Sequence, residues 1–304
     1  MKQQFPIAKQ WPLLKWKSTT MAWSGKALCS FLTFVALWFN ANAQRKPLVL
    51  KPAQFKHYVD YFNSMETPNI EQAIPNDSAW YWMQQNIPLF ECPQQNMEEI
   101  FYYRWWTLRK HIKKTPQGFV MTEFLVQRSY ADKYNLISSG LGHHIYESRW
   151  LHHKQYMDEN LLVWYRGNNG KPLNKLRFYS SWNMDAIYNR FLVNGDRSFV
   201  LNLLPDLDAD YQAWEKEKQR PDGLYWQYDV RDAMEETISG GRKEKNPRPS
   251  INGYMYGNAN AMAALWQLKG DATKAADYLQ KAKTVKAATQ SKLWNSEHDF
   301  FEVR

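Results

Sequence analysis

Cysteine is scarce in this 304-residue sequence, which contains only Cys29 and Cys92. Cys29 lies in an N-terminal segment that is expected to be removed, so an intramolecular disulfide and a cysteine-based zinc cluster are both excluded from the mature chain. The remaining Cys92, between Glu91 and Pro93, is expected to be structural rather than nucleophilic. An exported protein without disulfides fits a bacterial periplasm better than a eukaryotic secretory route.

The sequence also lacks an apolar run long enough to cross a membrane as an ordinary helix. The apolar stretch 27–39 is short, and the small-residue cleavage pattern Asn40-Ala-Asn-Ala43 follows it. This arrangement predicts a signal peptide over residues 1–43, with Met21 as an alternative start and Gln44 as the first mature residue. We therefore expect a periplasmic or secreted bacterial protein that is not inserted in a membrane once its signal is cleaved.

Basic residues are concentrated in that N-terminal segment. The formal charge of the whole chain is +9, and residues 1–43 contribute five lysines and no acid, which leaves +4 for the mature part. No basic stripe and no nucleic-acid motif occurs after residue 43. The composition therefore argues against a nucleic-acid partner.

Aromatic residues, in contrast, are abundant. They make up 16% of the chain and include 15 tryptophans, while hydrophobic residues make up 44%. A chain of this composition has ample apolar material for a core and is not intrinsically disordered. Residues 44–92 are interpreted as a lead-in with two short helices, near 52–65 and 77–83, and residues 93–304 as the main domain.

The main domain is predicted to be mainly helical. A long helix over 95–113 has an acidic first turn and a basic last turn, which match the helix dipole, and a short strand follows at 119–126. Further helices are predicted over 138–150, 153–165, 181–193, 197–218, 251–268 and 272–292.

Two helix junctions have the same form. Gly195-Asp196 and Gly270-Asp271 each join an apolar helix to a more polar one, and they lie 75 residues apart. The repeat predicts helical hairpins with tight turns at one end and the long loops 166–180 and 219–250 at the other. Because a closed ring gathers its long loops around a central pocket, we expect a mainly α, (α/α)6 toroid rather than an open solenoid. The chain holds three to four such hairpins, so an incomplete barrel is expected.

The segment from Gly223 to Gly241 combines acidic and aromatic residues. Its carboxylates and rings are Asp229, Asp232, Glu235, Glu236, Tyr225, Trp226 and Tyr228. Aromatic rings stack on the apolar faces of sugars, and paired carboxylates protonate a glycosidic oxygen and activate water. The segment therefore favours glycoside hydrolysis, a reaction that requires no metal or organic cofactor.

Five segments carry a family resemblance: Pro88-Leu-Phe-Glu-Cys-Pro93, Tyr103-Arg-Trp-Trp106, Gly142-His-His-Ile-Tyr-Glu-Ser-Arg-Trp150, Asp232-Ala-Met-Glu235 and Arg248-Pro-Ser-Ile-Asn-Gly-Tyr-Met-Tyr-Gly257. Together they resemble the six-hairpin (α/α)6 glycoside hydrolases, in particular the mannosylglycerate hydrolase-like and glycoside hydrolase family 63-like group. The resemblance implies an oligosaccharide or glycoside substrate and hydrolysis of an α-linked glucoside or mannoside with inversion. Inversion needs two carboxyl groups about 6.5–9.5 Å apart.

The resemblance also implies the position of the general acid. In that group the general acid ends a four-residue motif that consists of a small residue, a glycine, any residue and the acid. The segment Asp232-Ala-Met-Glu235 matches this motif, which places Glu235 at the acid position and leaves Asp232 as the alternate candidate for the general acid. Ala233 replaces the usual glycine, and Asn258 stands where an acid is expected. A catalytic base is implied near the end of the barrel, and no residue of this sequence fills that role. The chain alone is therefore expected to be inactive.

The remaining candidates are polar or aromatic residues near these motifs. His143 and Glu147 have a spacing that can chelate a metal, but no His-Glu-x-x-His pattern accompanies them, and no metal site is predicted. Arg248 is expected to pair with one of the acids. The candidate substrate-binding residues are Arg104, Trp106, His143, His144, Glu147, Arg149, Trp150, Trp226, Gln227, Asp229, Arg248, Asn252 and Tyr254.

Two other functions stay open at this point. A non-catalytic helical-repeat protein that binds a glycan or a protein would spread its acids along a continuous face, whereas a glycosidase would hold Glu235 and Asp232 between rings. A polysaccharide lyase on a similar toroid would use Tyr254 or His143 as its base, with Arg149 neutralising a uronate. The sequence does not determine the oligomeric state.

Overall fold

Helices dominate the computed structural model, which describes residues 49–67, 70–232 and 242–304. Residues 50–304 form one compact unit. The predicted signal peptide (residues 1–43) and the candidate acid Glu235 lie outside the described residues. Within the described ranges, no helix combines the length and the apolar character needed to cross a membrane.

The described part of the chain contains nine α-helices and three two-stranded antiparallel ladders. The helices are α1 Lys56–Ser64, α2 Ala79–Asn86, α3 Gln95–Lys110, α4 Ser138–Ser148, α5 Gln155–Arg166, α6 Asn183–Asn194, α7 Arg197–Lys218, α8 Pro249–Lys269 and α9 Ala272–Lys292. The ladders pair β1 Ile112–Thr115 with β2 Gly118–Met121, β3 Trp226–Gln227 with β4 Asn246–Pro247, and β5 Trp294–Asn295 with β6 Phe300–Phe301.

Most of the predicted helices are confirmed within a few residues, and two boundaries differ. The helix predicted over 95–113 ends at Lys110, because Ile112 already pairs with Met121 in a hairpin. The strand predicted at 119–126 is the second arm of this hairpin and ends at Met121. Gly118, with φ of +120°, turns the chain between the two arms.

The two Gly-Asp junctions adopt the same local structure. Gly195 and Gly270 end α6 and α8 in the left-handed region, with φ of +65° and +94°. The next residue, Asp196 or Asp271, then caps the following helix by accepting a hydrogen bond 3.0 Å long from the backbone N–H three residues later. A glycine C-cap followed by an aspartate N-cap thus makes each tight turn between antiparallel helices.

Helices α4, α6 and α8 lie side by side and run parallel. Tyr146 of α4 contacts Asp185 of α6, and Asp185 contacts Gly257 of α8. One turn towards the N-termini, Gly142 and Tyr254 both contact Trp182. Because contacts advance in the same direction on all three helices, their N-termini share one end. Helices α5 and α7, which lie between them in the sequence, run in the opposite direction and bring the chain back to this end, as in an α/α toroid.

Helix α3 lies on the other side of α4 and runs antiparallel to it. Arg104, in the middle of α3, forms an ion pair with Glu147 near the end of α4. His111, just after α3, lines the same cavity as His144, one turn closer to the start of α4. The order of neighbouring helices is therefore α3, α4, α6 and α8, and their junctions carry most of the polar residues considered below.

Candidate active site

A buried ion-pair cluster anchors the acidic loop to the start of α8. Arg248, the N-cap residue of α8, places Nη2 2.7 Å from Asp229 Oδ1 and Nε 2.9 Å from Asp232 Oδ2. All three side chains are buried, and Ser250 also donates a hydrogen bond to Asp232. Arg248 thus pairs with two acids rather than the one expected. Asp232 Oδ2 is bound by both Arg248 and Ser250, which gives this side chain an anchoring role, while its Oδ1 is buried without a hydrogen-bond partner among the described residues.

Two residues predicted to bind substrate, Asn252 and Gln227, form hydrogen bonds with the loop backbone. Asn252 Oδ1 accepts the Tyr225 N–H at 2.8 Å, and Asn252 Nδ2 donates to the Tyr225 carbonyl at 2.8 Å. Gln227 is completely buried and accepts hydrogen bonds from Lys218 Nζ and the Tyr228 N–H. Both amides therefore help to position the loop, and Gln227 Nε2 is buried without a hydrogen-bond partner among the described residues.

An aromatic group marks the shared N-terminal end of the parallel helices. The ring of Trp182, which caps α6, lies 4.5 Å from the His143 ring and 4.9 Å from the Tyr254 ring, measured between centroids. Trp182 packs so closely on Gly142 that a Cβ there would lie 2.5 Å from the indole. Burial, followed by the negative charge of Asp232, raises the pKa of Tyr254.

Asp185 stands one turn further along α6, next to this aromatic group. Its Oδ2 accepts a hydrogen bond of 2.9 Å from the Tyr146 hydroxyl. Burial, followed by this bond, raises the pKa of Tyr146. A half-buried carboxylate beside a tryptophan ring is suited to accept hydrogen bonds from sugar hydroxyls.

The contacts of Asn258 explain why an asparagine stands at the position where the resemblance predicts an acid. Its Oδ1 accepts from the N–H groups of Met184 and Asp185 at 3.1 and 3.2 Å, and its Nδ2 donates to the Ser181 carbonyl at 3.1 Å. A carboxylate cannot donate the last of these bonds. The asparagine therefore fixes the first turn of α6, and with it Trp182 and Asp185, from the neighbouring helix.

A second polar group lines a cavity of about 220 Å³ between α3 and α4. It contains the predicted residues Arg104, His144 and Glu147, together with His111 and Glu123. Burial and the neighbouring imidazoles lower the pKa of His144 to about 4, and burial also lowers the pKa of His111. Both rings are thus neutral at pH 7. Among the described residues, no three His, Cys, Asp or Glu side chains form a potential metal site.

The four remaining predicted residues differ in accessibility. Trp106 is buried in the core, donates to Asn63 at 2.8 Å and lies 3.4 Å beneath Lys110 Nζ, so its ring is not available to a sugar. Trp226 is covered by lysines, with Lys218 Nζ 3.9 Å and Lys245 Nζ 4.8 Å from its ring centroid.

Arg149 and Trp150 lie at the C-terminal end of α4. The guanidinium of Arg149 stacks 4.4 Å from the Tyr146 ring and 5.2 Å from the Trp150 ring, and Trp150 is 48% exposed. Both lie more than a turn beyond His143, which contacts Trp182. They therefore extend the polar surface away from the acidic loop.

Sequence reasoning missed Trp182 and Asp185. A signal for them existed, because Ser180-Ser181-Trp182-Asn183 ends the long loop before α6 just as Arg248-Pro-Ser250 ends the loop before α8. Residues at the end of each long loop meet at the same end of a toroid. Trp182 is therefore a further aromatic residue at this end, and its ring has no lysine contact like those of Trp226 among the described residues.

The geometry combines an aromatic platform, an adjacent carboxylate and an anchored acidic loop at one end of three parallel helices. A solved structure named "Sialidase" is similar to this chain, with a TM-score of 0.82 and 56% sequence identity over 84% of this chain. The match covers 24% of that protein, so this chain spans about a quarter of its length. A family model described as the mannosylglycerate hydrolase MGH1-like glycoside hydrolase domain matches residues 133–304. Because this match covers more than half of the sequence, the chain belongs to the MGH1-like glycoside hydrolase domain family.

Proposed function

We propose that this chain supplies the sugar-binding face and the acid-bearing loop of a glycosidase that hydrolyses an α-linked glucoside or mannoside with inversion. The observation that carries the proposal is that the chain just before Trp182 contacts the anchored loop, because the Ser180 N–H donates to the Arg231 carbonyl at 2.9 Å. Stacking on an indole ring and hydrogen bonding to a carboxylate are the two contacts that a pyranose ring requires.

In this proposal each group has one role. Trp182 stacks on an apolar sugar face, and Asp185, oriented by Tyr146, accepts hydrogen bonds from hydroxyl groups. Arg248 holds the start of the loop through Asp232, which leads directly into the segment that carries Glu235. Glu235 donates a proton to the glycosidic oxygen as the bond to the anomeric carbon breaks, and water attacks the opposite face of the sugar. The base that activates this water is assigned to no described residue.

The proposal is tested by measuring sugar binding and bond cleavage with α-glucosides and α-mannosides. Trp182→Ala should weaken binding of a neutral sugar by about two- to ten-fold, since aromatic contacts contribute on the order of 0.5–1.5 kcal/mol. Trp226→Ala is the matched control and should leave binding unchanged, because lysines already cover that ring. Equal losses in both variants would contradict the assigned sugar-binding face.

Cleavage is measured with azide present, because we propose that the chain alone lacks a base. Azide needs no deprotonation, so it attacks the anomeric carbon directly while the leaving oxygen takes the proton of Glu235. Glu235→Gln should reduce this reaction by about 10²–10⁴-fold, the usual contribution of a general acid. An unchanged rate in this variant would remove Glu235 from the mechanism.

A second candidate reaction is hydrolysis of an α-sialoside. It is favoured by the name of the solved structure that is 56% identical to this chain. Because this chain spans about a quarter of that protein, the activity in its name belongs to the whole. Adding an α-sialoside to the substrate panel separates the candidates: preference for the sialoside supports this second reaction, and preference for a neutral glycoside supports the first.

A further inference from the structure

The cavity of about 220 Å³ between α3 and α4 has room for a small ligand. A single water needs only about 10–15 Å³ of such volume, whereas pockets for drug-sized ligands measure about 300–1,000 Å³. The cavity is therefore of a size to hold one small molecule or one unit of a longer chain. Leu108 and Met121 form an apolar part of its wall.

An ion pair between Arg104 and Glu147 presents hydrogen-bond donors and acceptors to the cavity. The Arg104 side chain is 63% exposed and the Glu147 side chain is 37% exposed, so a ligand can reach both. A guanidinium has five N–H donors and a carboxylate has about four acceptor positions, so groups remain for a ligand after the ion pair forms. A hydroxyl group suits this pair, because it donates to the carboxylate and accepts from the guanidinium.

Glu123 brings a second carboxylate to the cavity from the loop that follows β2. Its Oε2 accepts a hydrogen bond of 3.3 Å from the Ser139 hydroxyl in the first turn of α4. Gly140 permits this close approach, because a Cβ there would lie 3.2 Å from His144 Cε1 and 3.4 Å from Glu123 Oε2. The carboxylates of Glu123 and Glu147 both accept hydrogen bonds from hydroxyl groups, and both repel an anion.

Two neutral histidines add hydrogen-bonding groups without charge. The Nδ1 atom of His111 lies 2.8 Å from the Thr122 carbonyl oxygen, which can only accept, so this nitrogen carries the proton. The other ring nitrogen, Nε2, is then a hydrogen-bond acceptor. Burial lowers the pKa of both His111 and His144, so neither ring is charged at pH 7. A lining with donors, acceptors and charges of both signs fits an uncharged ligand with several hydroxyl groups better than it fits an ion.

The cavity lies beside the proposed sugar-binding face, around the first two turns of α4. Each residue of an α-helix is rotated by about 100° from the one before it. Gly142, which packs against Trp182, and Gly140, which packs against Glu123, therefore lie on opposite sides of α4. The exposed His143 lies between these two sides, and its ring centroid is 4.5 Å from that of Trp182. A glycan that stacks on Trp182 can therefore pass over His143 into the cavity.

We propose that this cavity binds a second, uncharged sugar unit of a glycan whose neighbouring unit stacks on Trp182, so that the protein recognises an oligosaccharide rather than a single sugar. The inference rests on the proposed function, because Trp182 provides the first position. Hydroxyl groups of the second unit donate hydrogen bonds to Glu123 and Glu147 and accept them from Arg104. The apolar part of the wall contacts the C–H groups of the same unit.

The test compares calorimetric binding of one-unit and two-unit ligands to the full 304-residue chain. The one-unit ligands are methyl α-glucoside and methyl α-mannoside, and the two-unit ligands are maltose and α-mannobiose. The wild type should bind at least one disaccharide about ten-fold more tightly than the matching methyl glycoside, because hydrogen bonds to charged groups are strong. The double variant Arg104→Gln/Glu123→Gln changes exposed side chains, so it should fold, and it should reduce this advantage to less than about three-fold.

A matched control removes one positive and one negative charge at a distant surface. Lys281→Gln/Glu215→Gln breaks an ion pair of 2.6 Å between α9 and α7, and it should keep the disaccharide advantage. The ε-methyl NMR signal of Met121, identified with Met121→Leu, reports on the cavity itself. This signal should shift when the disaccharide is added and stay in place when the methyl glycoside is added.

Each outcome decides the inference. Equal affinity for one-unit and two-unit ligands, no binding of either disaccharide, an advantage that survives in the double variant, an equal loss in the control or an unshifted Met121 signal would overturn it. Methyl glycoside affinity that depends on Trp182, combined with no disaccharide advantage, would leave the proposed function standing and reject this inference alone. A disaccharide advantage that needs Arg104 and Glu123, combined with cleavage that Glu235→Gln leaves unchanged, would support this inference and reject the proposed reaction.

Discussion

Replacement of Arg248 by methionine should destabilise the protein more than any surface charge change. The methionine keeps much of the length of the side chain but leaves Asp229 and Asp232 without the cation that they contact at 2.7 and 2.9 Å. The three side chains are at most 3% exposed, so water does not replace the lost partner. Removing one member of a buried ion pair costs about 3–5 kcal/mol, a large part of the 5–15 kcal/mol that stabilises a typical domain.

The assay is the free energy of unfolding in urea at pH 7, measured for four proteins. They are the wild type, Arg248→Met, Asp229→Asn/Asp232→Asn and the triple variant. If the penalty arises from uncompensated charge, the triple variant should be more stable than Arg248→Met by at least about 1 kcal/mol, because its buried groups are neutral. An exposed pair, Lys56 and Asp60, gives the control: Lys56→Met should change the free energy by less than about 0.5 kcal/mol.

Two results would refute this reasoning. The first is a loss of less than about 1 kcal/mol in Arg248→Met, which would mean that the cluster is solvated in solution. The second is a triple variant that is no more stable than Arg248→Met, which would assign the loss to side-chain packing rather than to charge.

Two further predictions concern stability. Burial raises the pKa of Asp210 to about 6 although Arg177 opposes the shift, so the folded state binds a proton more tightly than the unfolded state. The free energy of unfolding of the wild type should therefore fall relative to Asp210→Asn as pH rises from about 4 to about 6, and parallel pH profiles would contradict this. Gly270→Ala should cost about 1 kcal/mol because φ is +94° there. Gly253→Ala is the control: this glycine lies in α8 with no atom within 4 Å of the added methyl group, so the change should be neutral or stabilising by up to about 1 kcal/mol. Equal losses of unfolding free energy in the two variants, measured by denaturation, would exclude the explanation from backbone conformation.

The helical architecture was predictable because local signals set the ends of the helices. Gly195-Asp196 and Gly270-Asp271 specify a left-handed C-cap and then an N-cap, and both functions depend on residues within one turn. The shortened end of α3 was not predictable from its own charges, since Ile112 leaves the helix to pair with Met121. That competition depends on a strand nine residues later in the chain.

The candidate site was predictable in composition and less so in arrangement. Clustered acids beside Arg248 indicated an ion pair, but the second partner of Arg248 required the turn at Asp229–Arg231, which brings both carboxylates to one guanidinium. Trp226 was an evident candidate for a sugar platform, yet Lys218 and Lys245 cover its ring. These contacts join positions far apart on the loop and α7, and residue spacing alone does not determine them.

The same limit explains Trp106 and Trp182. A tryptophan in the middle of a helix is buried or exposed according to which face of the helix packs, and α3 directs Trp106 towards Asn63 in the core. Trp182 becomes a candidate platform because α4 and α8 bring His143 and Tyr254 to its ring. Its role follows from the parallel order of three helices, which no single segment specifies.

The central claim is that Glu235 acts as the acid on an α-linked sugar held at the N-termini of α4, α6 and α8. It is tested most directly by following the anomeric proton by NMR while the protein acts on an α-glycoside of its preferred sugar in the presence of azide. The account predicts a β-glycosyl azide, the inverted product, and its loss in Glu235→Gln. A product that retains the α configuration, or the same rate of formation in Glu235→Gln, would contradict it.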